Sequence, residues 1–200
     1  TLFRSYTVEG DASQAALFGV LGAVRGGVQL AGLRPGSAQG DMAFLPLLRQ
    51  AGAAIVQAPC GALRFEQAGL CGGEASLADC PDLGPILMVL GLFCENGLVL
   101  RHAQRLRLKE SDRIAAMEEE IRKMGGRIES DDGTVRVFKS ALHGAALCAH
   151  NDHRVAMAMA VAALAAGVPA SIDGAECVEK SWPEFWQVLQ TCLGAEVTLL

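Results

Sequence analysis

The sequence has no cluster of basic residues beyond a short stretch at 101–109, and its formal net charge is -5. Nucleic-acid-binding surfaces need a strongly basic patch, so nucleic acid is not an expected partner. The longest uncharged apolar run covers residues 155–169. A helix that crosses a bilayer needs about 20 such residues, so no membrane span is expected either.

Several motifs of well-known sites are also missing. The seven cysteines form no Cys-x-x-Cys pair, and the four histidines are not spaced with them as zinc ligands. Such a set is typical of reduced thiols in a cytoplasmic protein, and nothing resembles a signal peptide. There is no Gly-rich phosphate loop of the P-loop or dinucleotide type, and no Gly-x-Ser-x-Gly nucleophile motif.

The composition is that of a chain with a sizeable core. Hydrophobic residues make up 51% of it and charged residues 20%, which excludes a disordered polypeptide. The chain begins without Met and almost directly on a motif. It is therefore expected to be part of a longer protein.

A repeat of about seventy residues organises the chain. Three segments begin with an acidic or polar cluster, continue into an apolar helix-like stretch and close at Gly27, Gly97 and Gly167, at intervals of 70 residues. Each is followed by a short strand, a polar loop, a second helix and another strand, the last of these at 195–199. Asp131-Asp132-Gly133 predicts a hairpin turn, and Pro59-Cys60-Gly61 is expected to form the corresponding turn earlier in the chain. The predicted unit is βαβαββ, with the first and third copies incomplete.

The two helices of a unit differ in their apolar pattern. Ile114, Met117, Ile121 and Met124 recur at helical spacing, so the second helix is amphipathic. The first helix, as at 155–166, is apolar on every side and must be buried. We therefore expect an α/β (α+β) fold in which apolar helices lie inside, with sheets and amphipathic helices packed around them.

Three cations stand where helix electrostatics disfavour them. Arg113, Arg154 and Lys180 are each predicted in or just before a first helical turn, where a cation costs about 0.3–1 kcal/mol. An anionic ligand would compensate all three, because a helix N-terminus with Arg or Lys suits phosphate or carboxylate. The alternative is that each cation pairs with a neighbouring Asp or Glu. Helix capping is the simplest role for three aspartates, Asp82, Asp112 and Asp152.

Titratable groups lie beside this predicted anion site. Asp82, Glu110 and His153 are candidates for proton transfer, since crowded carboxylates can titrate near neutrality. Cations for substrate anions next to acid–base groups suit addition to, or elimination from, an anionic substrate. Composition and spacing alone predict an anion-binding α/β repeat that is an enzyme.

Six segments, in order along the chain, resemble motifs of the EPSP synthases (3-phosphoshikimate 1-carboxyvinyltransferases). They are Glu9-Gly10-Asp11-Ala12-Ser13, Gln39-Gly40-Asp41, Pro81-Asp82, Arg107-Leu108-Lys109-Glu110-Ser111-Asp112-Arg113, Asn151-Asp152-His153-Arg154-Val155-Ala156-Met157 and Glu179-Lys180-Ser181-Trp182-Pro183. The resemblance implies an enolpyruvate transferase-like fold of two domains, each built from three βαβαββ units. Residues 1–56 would be the last unit of the shikimate-phosphate domain, and 57–200 most of the phosphoenolpyruvate-side domain. An absent N-terminal portion would complete the fold.

The resemblance also implies a reaction. The enolpyruvyl group of phosphoenolpyruvate moves to the 5-hydroxyl of shikimate 3-phosphate, and phosphate is released, in the shikimate pathway. The expected partners are these two small molecules and the absent N-terminal portion. That chemistry requires no metal or organic cofactor.

The family's functional residues match particular positions here. Asp82 matches a carboxylate that contacts the shikimate hydroxyl and transfers protons, and Glu110 matches its acid–base partner at the methylene carbon. Three cations match residues that hold phosphoenolpyruvate, where glyphosate also binds: Arg113, Arg154 and Lys180. His153 matches a histidine that lines this pocket and is counted with the catalytic groups. Ser13 and Lys109, with Asp82, match the shikimate 3-phosphate side.

The sequence also departs from the family pattern. Gln14 replaces a small hydroxyl residue, and Leu17 stands where some members have Tyr. The family's Pro-Gly-Ser-Lys-Ser, Gly-Asn-Ala-Gly-Thr and Ser-Ser-Gln segments are missing, so the isolated chain is expected to be inactive. Two alternatives are a UDP-N-acetylglucosamine enolpyruvyltransferase and a non-catalytic ligand-binding fragment.

Overall fold

The computed structural model describes residues 8–198. The α-helices of this part are α1 (Ala12–Arg25), α2 (Phe44–Gln50), α3 (Gly84–Gly91), α4 (Arg113–Lys123), α5 (His153–Ala166) and α6 (Phe185–Leu193). Short 3₁₀ helices cover Gly40–Ala43, Pro81–Leu83, Ala103–Leu108 and Ala175–Lys180. The strands are β1 (Val28–Leu30), β2 (Ala54–Gln57), β3 (Leu63–Glu66), β4 (Gly73–Ser76), β5 (Leu98–Arg101), β6 (Arg127–Ser130), β7 (Thr134–Phe138), β8 (Ala145–Cys148) and β9 (Ala170–Asp173).

The sheets confirm the predicted repeat. The first has the order β1-β3-β2 and the second the order β4-β5-β7-β6, so β1, β3 and β2 correspond to β5, β7 and β6. The connections β4–α3–β5 and β8–α5–β9 both join parallel strands. Both predicted hairpins are present, since β2 pairs with β3 and β6 with β7 in antiparallel fashion. The mixed α/β fold class is confirmed.

Three buried helices form the centre of the molecule. Helices α1, α3 and α5 pack against one another, and their apolar residues belong to one hydrophobic cluster. Every residue of α3 is buried, as are residues 155–163 of α5. On α4 the predicted apolar stripe of Ile114, Met117 and Ile121 is completely buried. The apolar pattern of each helix thus predicts its position correctly.

Two local predictions are wrong. The helix-like stretch was expected to close at Gly97, but helix α3 ends at Gly91. The N–H groups of Glu95 and Asn96 donate to the carbonyls of Leu70 and Cys71 and do not continue the helix. Residues 195–198 form no strand, although one was predicted over 195–199; residue 199 lies outside the described part. This segment folds back on α6 instead, where Ala195 N–H donates to the carbonyl of Leu189.

The predicted boundary at residue 56 falls inside β2. The first sheet is complete only at Glu66, because β3 is its central strand. Helix α1, on one side of that boundary, packs on α3 and α5 from the other side. The described residues of all three units therefore form one packed body.

All seven cysteines are free. Among the helices of the described residues, none combines the length and apolar character that a membrane crossing requires.

Candidate active site

The N-terminal ends of α1, α4 and α5 and the 3₁₀ turn before α3 meet at one place. Asp11 caps α1, Asp112 caps α4 and Asp152 caps α5, each through hydrogen bonds from backbone N–H groups of the first turn. Capping was predicted for Asp112 and Asp152, and the structure confirms both. Because each cap fixes the start of a helix, the side chains that follow it are held in defined directions.

Asp82 caps no helix, contrary to the simplest expectation. It lies in the 3₁₀ turn Pro81–Leu83, and its carboxylate faces three cations. Oδ1 is 3.0 Å from Lys109 Nζ and 2.9 Å from Arg113 Nη1, while Oδ2 is 3.3 Å from Arg154 Nη2. Burial raises the pKa of Asp82, but the charges of Arg154, Lys109 and Arg113 outweigh it and leave the pKa below its ordinary value. Asp82 is therefore an ionised centre of the cluster.

Arg113 is enclosed by carboxylates. Its side chain is 1% exposed. Nε donates to Asp152 Oδ2 at 2.7 Å, Nη1 to Asp82 at 2.9 Å, and Nη2 to Glu110 Oε2 at 2.6 Å. Protein carboxylates thus neutralise the charge of Arg113, which is the alternative that the sequence left open.

Arg154 joins three elements. From the first turn of α5, its Nη2 reaches Ser13 Oγ of α1 at 3.1 Å and Asp82 Oδ2 at 3.3 Å. Its Nη1 lies 3.4 Å from the carbonyl oxygen of Asp82. A small pocket beside it is lined by Ser13, Leu17, Asp82, Pro85, Ile86, Arg154 and Met157.

Lys180 does not lie at a helix N-terminus, so that prediction is wrong. It is the last residue of the 3₁₀ helix Ala175–Lys180, and α6 begins only at Phe185. A cation at a helix C-terminus is electrostatically favourable and needs no anion to explain it. Its Nζ lies 2.6 Å from Asn151 Oδ1, and it makes no ion pair with a carboxylate within residues 8–198.

His153 opens α5 beside this cluster. Burial, helped by the neighbouring charge of Arg154, lowers the pKa of His153 from 6.5, so its imidazole is neutral at pH 7. Its Nδ1 is buried and has no hydrogen-bond partner among the described residues. An unsatisfied buried nitrogen is uncommon in folded proteins and calls for an explanation.

The structure thus brings most predicted site residues into one contact network: Ser13, Asp82, Lys109, Glu110, Arg113 and Arg154. His153 and Lys180 adjoin it through their neighbours Asp152 and Asn151. Carboxylates, guanidinium and ammonium groups and an imidazole therefore lie close together.

Comparisons with known proteins identify the family of the chain. The family model described as EPSP synthase (3-phosphoshikimate 1-carboxyvinyltransferase) matches residues 2–189. The chain belongs to the EPSP synthase family. A 3-phosphoshikimate 1-carboxyvinyltransferase of Clostridium acetobutylicum is 39% identical over 96% of this chain and 44% of its own length. One from Methanoregula boonei is 37% identical over 93% of the chain and 44% of its own length.

Solved structures show the same relationship. An EPSP synthase from Acinetobacter baumannii superposes with a TM-score of 0.79 and 26% identity, over 92% of this chain and 46% of that one. The enolpyruvyl transferase NikO from Streptomyces tendae has a TM-score of 0.72 at 17% identity, over 96% of this chain and 44% of that one, and shares the fold. The chain spans less than half the length of the EPSP synthases that it matches.

Sequence reasoning missed three residues of this candidate site. Asp152 was expected only to cap α5, yet its fully buried carboxylate also accepts hydrogen bonds from Arg113 and Ser111. Burial raises the pKa of Asp41, near Arg154 and Asp82, although Asp41 stood out only as part of a motif. Gln14, noted as a departure, donates from Nε2 to the carbonyl of Ser181 at 3.0 Å and so ties α1 to the Lys180 turn.

Proposed function

We propose that the protein transfers the enolpyruvyl group of phosphoenolpyruvate to the 5-hydroxyl of shikimate 3-phosphate, giving 5-enolpyruvylshikimate 3-phosphate and phosphate. The observation that carries this proposal is that one guanidinium holds two carboxylates. Arg113 binds Asp82 through Nη1 and Glu110 through Nη2. Two groups suited to proton transfer are thereby fixed side by side in a surface rich in cations.

The reaction needs two proton transfers in its addition step. One proton leaves the attacking hydroxyl, for which the ionised carboxylate of Asp82 is the acceptor. Another reaches the methylene carbon of phosphoenolpyruvate, and Glu110, with 47% of its side chain exposed, is its donor. In the elimination step Glu110 takes a proton back from the methyl group. The proton held by Asp82 passes to the departing phosphate, so both carboxyl groups return to their starting states. No metal or organic cofactor takes part in these steps.

The anionic groups of phosphoenolpyruvate are assigned to Arg113, Arg154 and Lys180. Lys180 is exposed and is held by Asn151, so its ammonium remains available for a phosphate or carboxylate oxygen. Arg113 uses four of the five N–H groups of a guanidinium on protein carboxylates, and one on Nη1 remains without a partner among the described residues. The imidazole of His153, next to Arg154 at the start of α5, is assigned to the same substrate.

Shikimate 3-phosphate is assigned to the adjacent side. Lys109 and Asp82 form an ion pair at 3.0 Å that a hydroxyl group can join. Ser13, whose Oγ accepts a hydrogen bond from Arg154, is assigned to this substrate. An N-terminal portion of the protein would supply the opposite wall of the site. We place the enzyme in the cytoplasm, which its seven free thiols support.

A phosphate-release assay tests this function. The full-length protein, with the N-terminal portion that the family's length predicts, is expected to release phosphate when both substrates are present. The isolated chain is expected to release none, because half of the binding surface is absent. Lack of turnover by the full-length protein would refute the proposed function, and turnover with UDP-N-acetylglucosamine as acceptor would assign it to the sister reaction.

A further inference from the structure

A second buried carboxylate, outside the proposed chemistry, lies on α4. Glu120 is fully buried, and it follows Arg113 by seven residues on the same helix. Seven residues are about two turns of an α-helix, so both side chains project from one face. That face lies against the loop between β8 and α5, residues 149–152.

Glu120 binds this loop and the last residue of β8 before it. Its Oε1 accepts a hydrogen bond from His150 Nε2 at 2.7 Å, and its Oε2 accepts one from the backbone N–H of Cys148 at 3.0 Å. At the other end of the loop Asp152 accepts from Arg113 Nε at 2.7 Å. Helix α4 thus holds both ends of a very short segment.

The residues between these two points have an unusual backbone. His150 has a φ of 52° and Asn151 a φ of 54°, so two consecutive non-glycine residues are left-handed. This conformation is sparsely populated for such residues and persists where the surroundings impose it. Here the hydrogen bonds of Glu120 and Asp152 impose the left-handed conformation.

The loop conformation determines where two parts of the site lie. Asn151 presents its Oδ1 to Lys180 Nζ at 2.6 Å. Asp152 caps α5 through the N–H of Arg154 at 2.9 Å and binds Arg113. We infer that Glu120 and His150 are positioning residues that hold the phosphoenolpyruvate-side cations in place through this loop. The inference rests on the proposed function, which it deepens.

A metal site is the other role that this cluster suggests. Glu119, Glu120 and His150 have potential ligand atoms within 4.8 Å of one another. Lys123 Nζ, however, lies 2.8 Å from Glu119 Oε1 and 2.9 Å from Glu120 Oε1. An ammonium group already supplies the positive charge there, so the cluster is assigned to positioning.

The chain offers a closely matched control for the test. Glu119 is adjacent to Glu120 on α4 and also pairs with Lys123, but its side chain is 56% exposed and it has no hydrogen bond to the loop in the described structure. In the full-length enzyme, E120Q is expected to lower kcat/KM for phosphoenolpyruvate about tenfold through a higher KM, because displaced cations bind the substrate less well. The KM for shikimate 3-phosphate should stay within about twofold, and E119Q should change neither constant by more than about twofold.

A second variant approaches the same contact from the loop. H150N keeps a residue type that tolerates the left-handed backbone but is too short to reach Glu120. It should reproduce the E120Q effect, and the double variant should lose little more than either single one. If E120Q does not fold, H150N alone tests the inference.

The possible outcomes separate the two claims. Inactivity of the unmodified full-length enzyme refutes the proposed function. An active enzyme in which E120Q and H150N behave like E119Q overturns the positioning role alone. Equal increases in both KM values, or a lower melting temperature with unchanged kinetics, also contradict positioning, and activity lost on chelation with EDTA would indicate a metal site.

Discussion

Arg113 and Asp152 form an ion pair that is closed to solvent, with 1% and 0% of their side chains exposed and 2.7 Å between Nε and Oδ2. The pair joins the first residue of α4 to the cap of α5. Because neither charge can be solvated when its partner is lost, the pair ties the integrity of the fold to the geometry of the site.

Removal of the Asp152 carboxylate should therefore destabilise the chain strongly. We expect D152A to lower the free energy of unfolding by about 3–5 kcal/mol, since the buried guanidinium of Arg113 keeps Asp82 and Glu110 but loses the fully buried acceptor of its Nε, and α5 loses its cap. The matched control is D112A, which removes a cap from α4 but only a half-exposed ion pair with Arg107. Its expected cost is about 1 kcal/mol, and equilibrium urea unfolding compares the two. Equal losses would contradict the dominance of the buried pair.

Asp82 and Asp41 should respond to pH in opposite directions. The folded-state pKa of Asp82 lies below its ordinary 3.8, so its stabilising contribution is complete above that value and is lost as the pH falls through the lower folded pKa. The pKa of Asp41 is raised above 3.8 by burial, so its ionised form costs stability at neutral pH, and protonation in acid relieves this cost.

Two asparagine variants test at pH 7 whether each ionised carboxylate stabilises or destabilises the fold. D82N should lower the urea midpoint, because Arg113, Arg154 and Lys109 lose their shared carboxylate. D41N should leave the midpoint unchanged or raise it. Measurements repeated at pH 3.5 should show a smaller difference between D82N and the parent chain. A D41N midpoint well below that of the parent would contradict the direction given for Asp41.

Glu110→Gln in the full-length enzyme should separate chemistry from binding. If Glu110 moves a proton at the methylene carbon, kcat should fall by about 10²–10⁴-fold, while binding of shikimate 3-phosphate changes little. Steady-state kinetics and a binding titration measure the two quantities. E95Q serves as the control, because it changes only an exposed ion pair with Lys139. An equal loss of binding would make Glu110 a positioning residue.

The sequence predicts the elements of this fold much better than the pairing of its charges. Apolar periodicity and the glycine interval predict the repeat, the buried helices and the hairpins, because these depend on neighbours in sequence. The partners of Arg113 come from segments around residues 82, 110 and 152, so only the folded chain brings them together. The same limit explains why the burial of Asp152 and Glu120 was not predicted.

Lys180 shows a different limit. It was expected in or just before a first helical turn, and that expectation led to the wrong electrostatic assignment. The 3₁₀ helix Ala175–Lys180 precedes α6, so Lys180 lies at a helix C-terminus, where the partial charge is negative, and not at an N-terminus. Short 3₁₀ turns have no strong periodic pattern, so the sequence does not reveal them.

Two glycines test the repeat at the level of single atoms. Gly22 of α1 faces the paired residues Val28 and Phe65, and a Cβ added there would lie 2.8 and 2.6 Å from their Cβ atoms. Gly91 of α3 faces Leu98 and Val137 at the corresponding place, at 3.0 and 2.8 Å. A glycine-to-alanine change in a helix normally stabilises it by up to about 1 kcal/mol. Here neither neighbour is a flexible side-chain end, so the helix must move off its sheet.

We therefore expect G22A and G91A each to destabilise the chain, by about 1–3 kcal/mol, despite the better helix propensity of alanine. Urea unfolding measures the change, with E119A on the exposed face of α4 as the control that reports propensity without a clash. Because Gly22 and Gly91 occupy equivalent places in two units, their losses should be similar in size. Stabilisation by either substitution would mean that the helix and sheet of that unit are not packed as closely as the Cβ distances require.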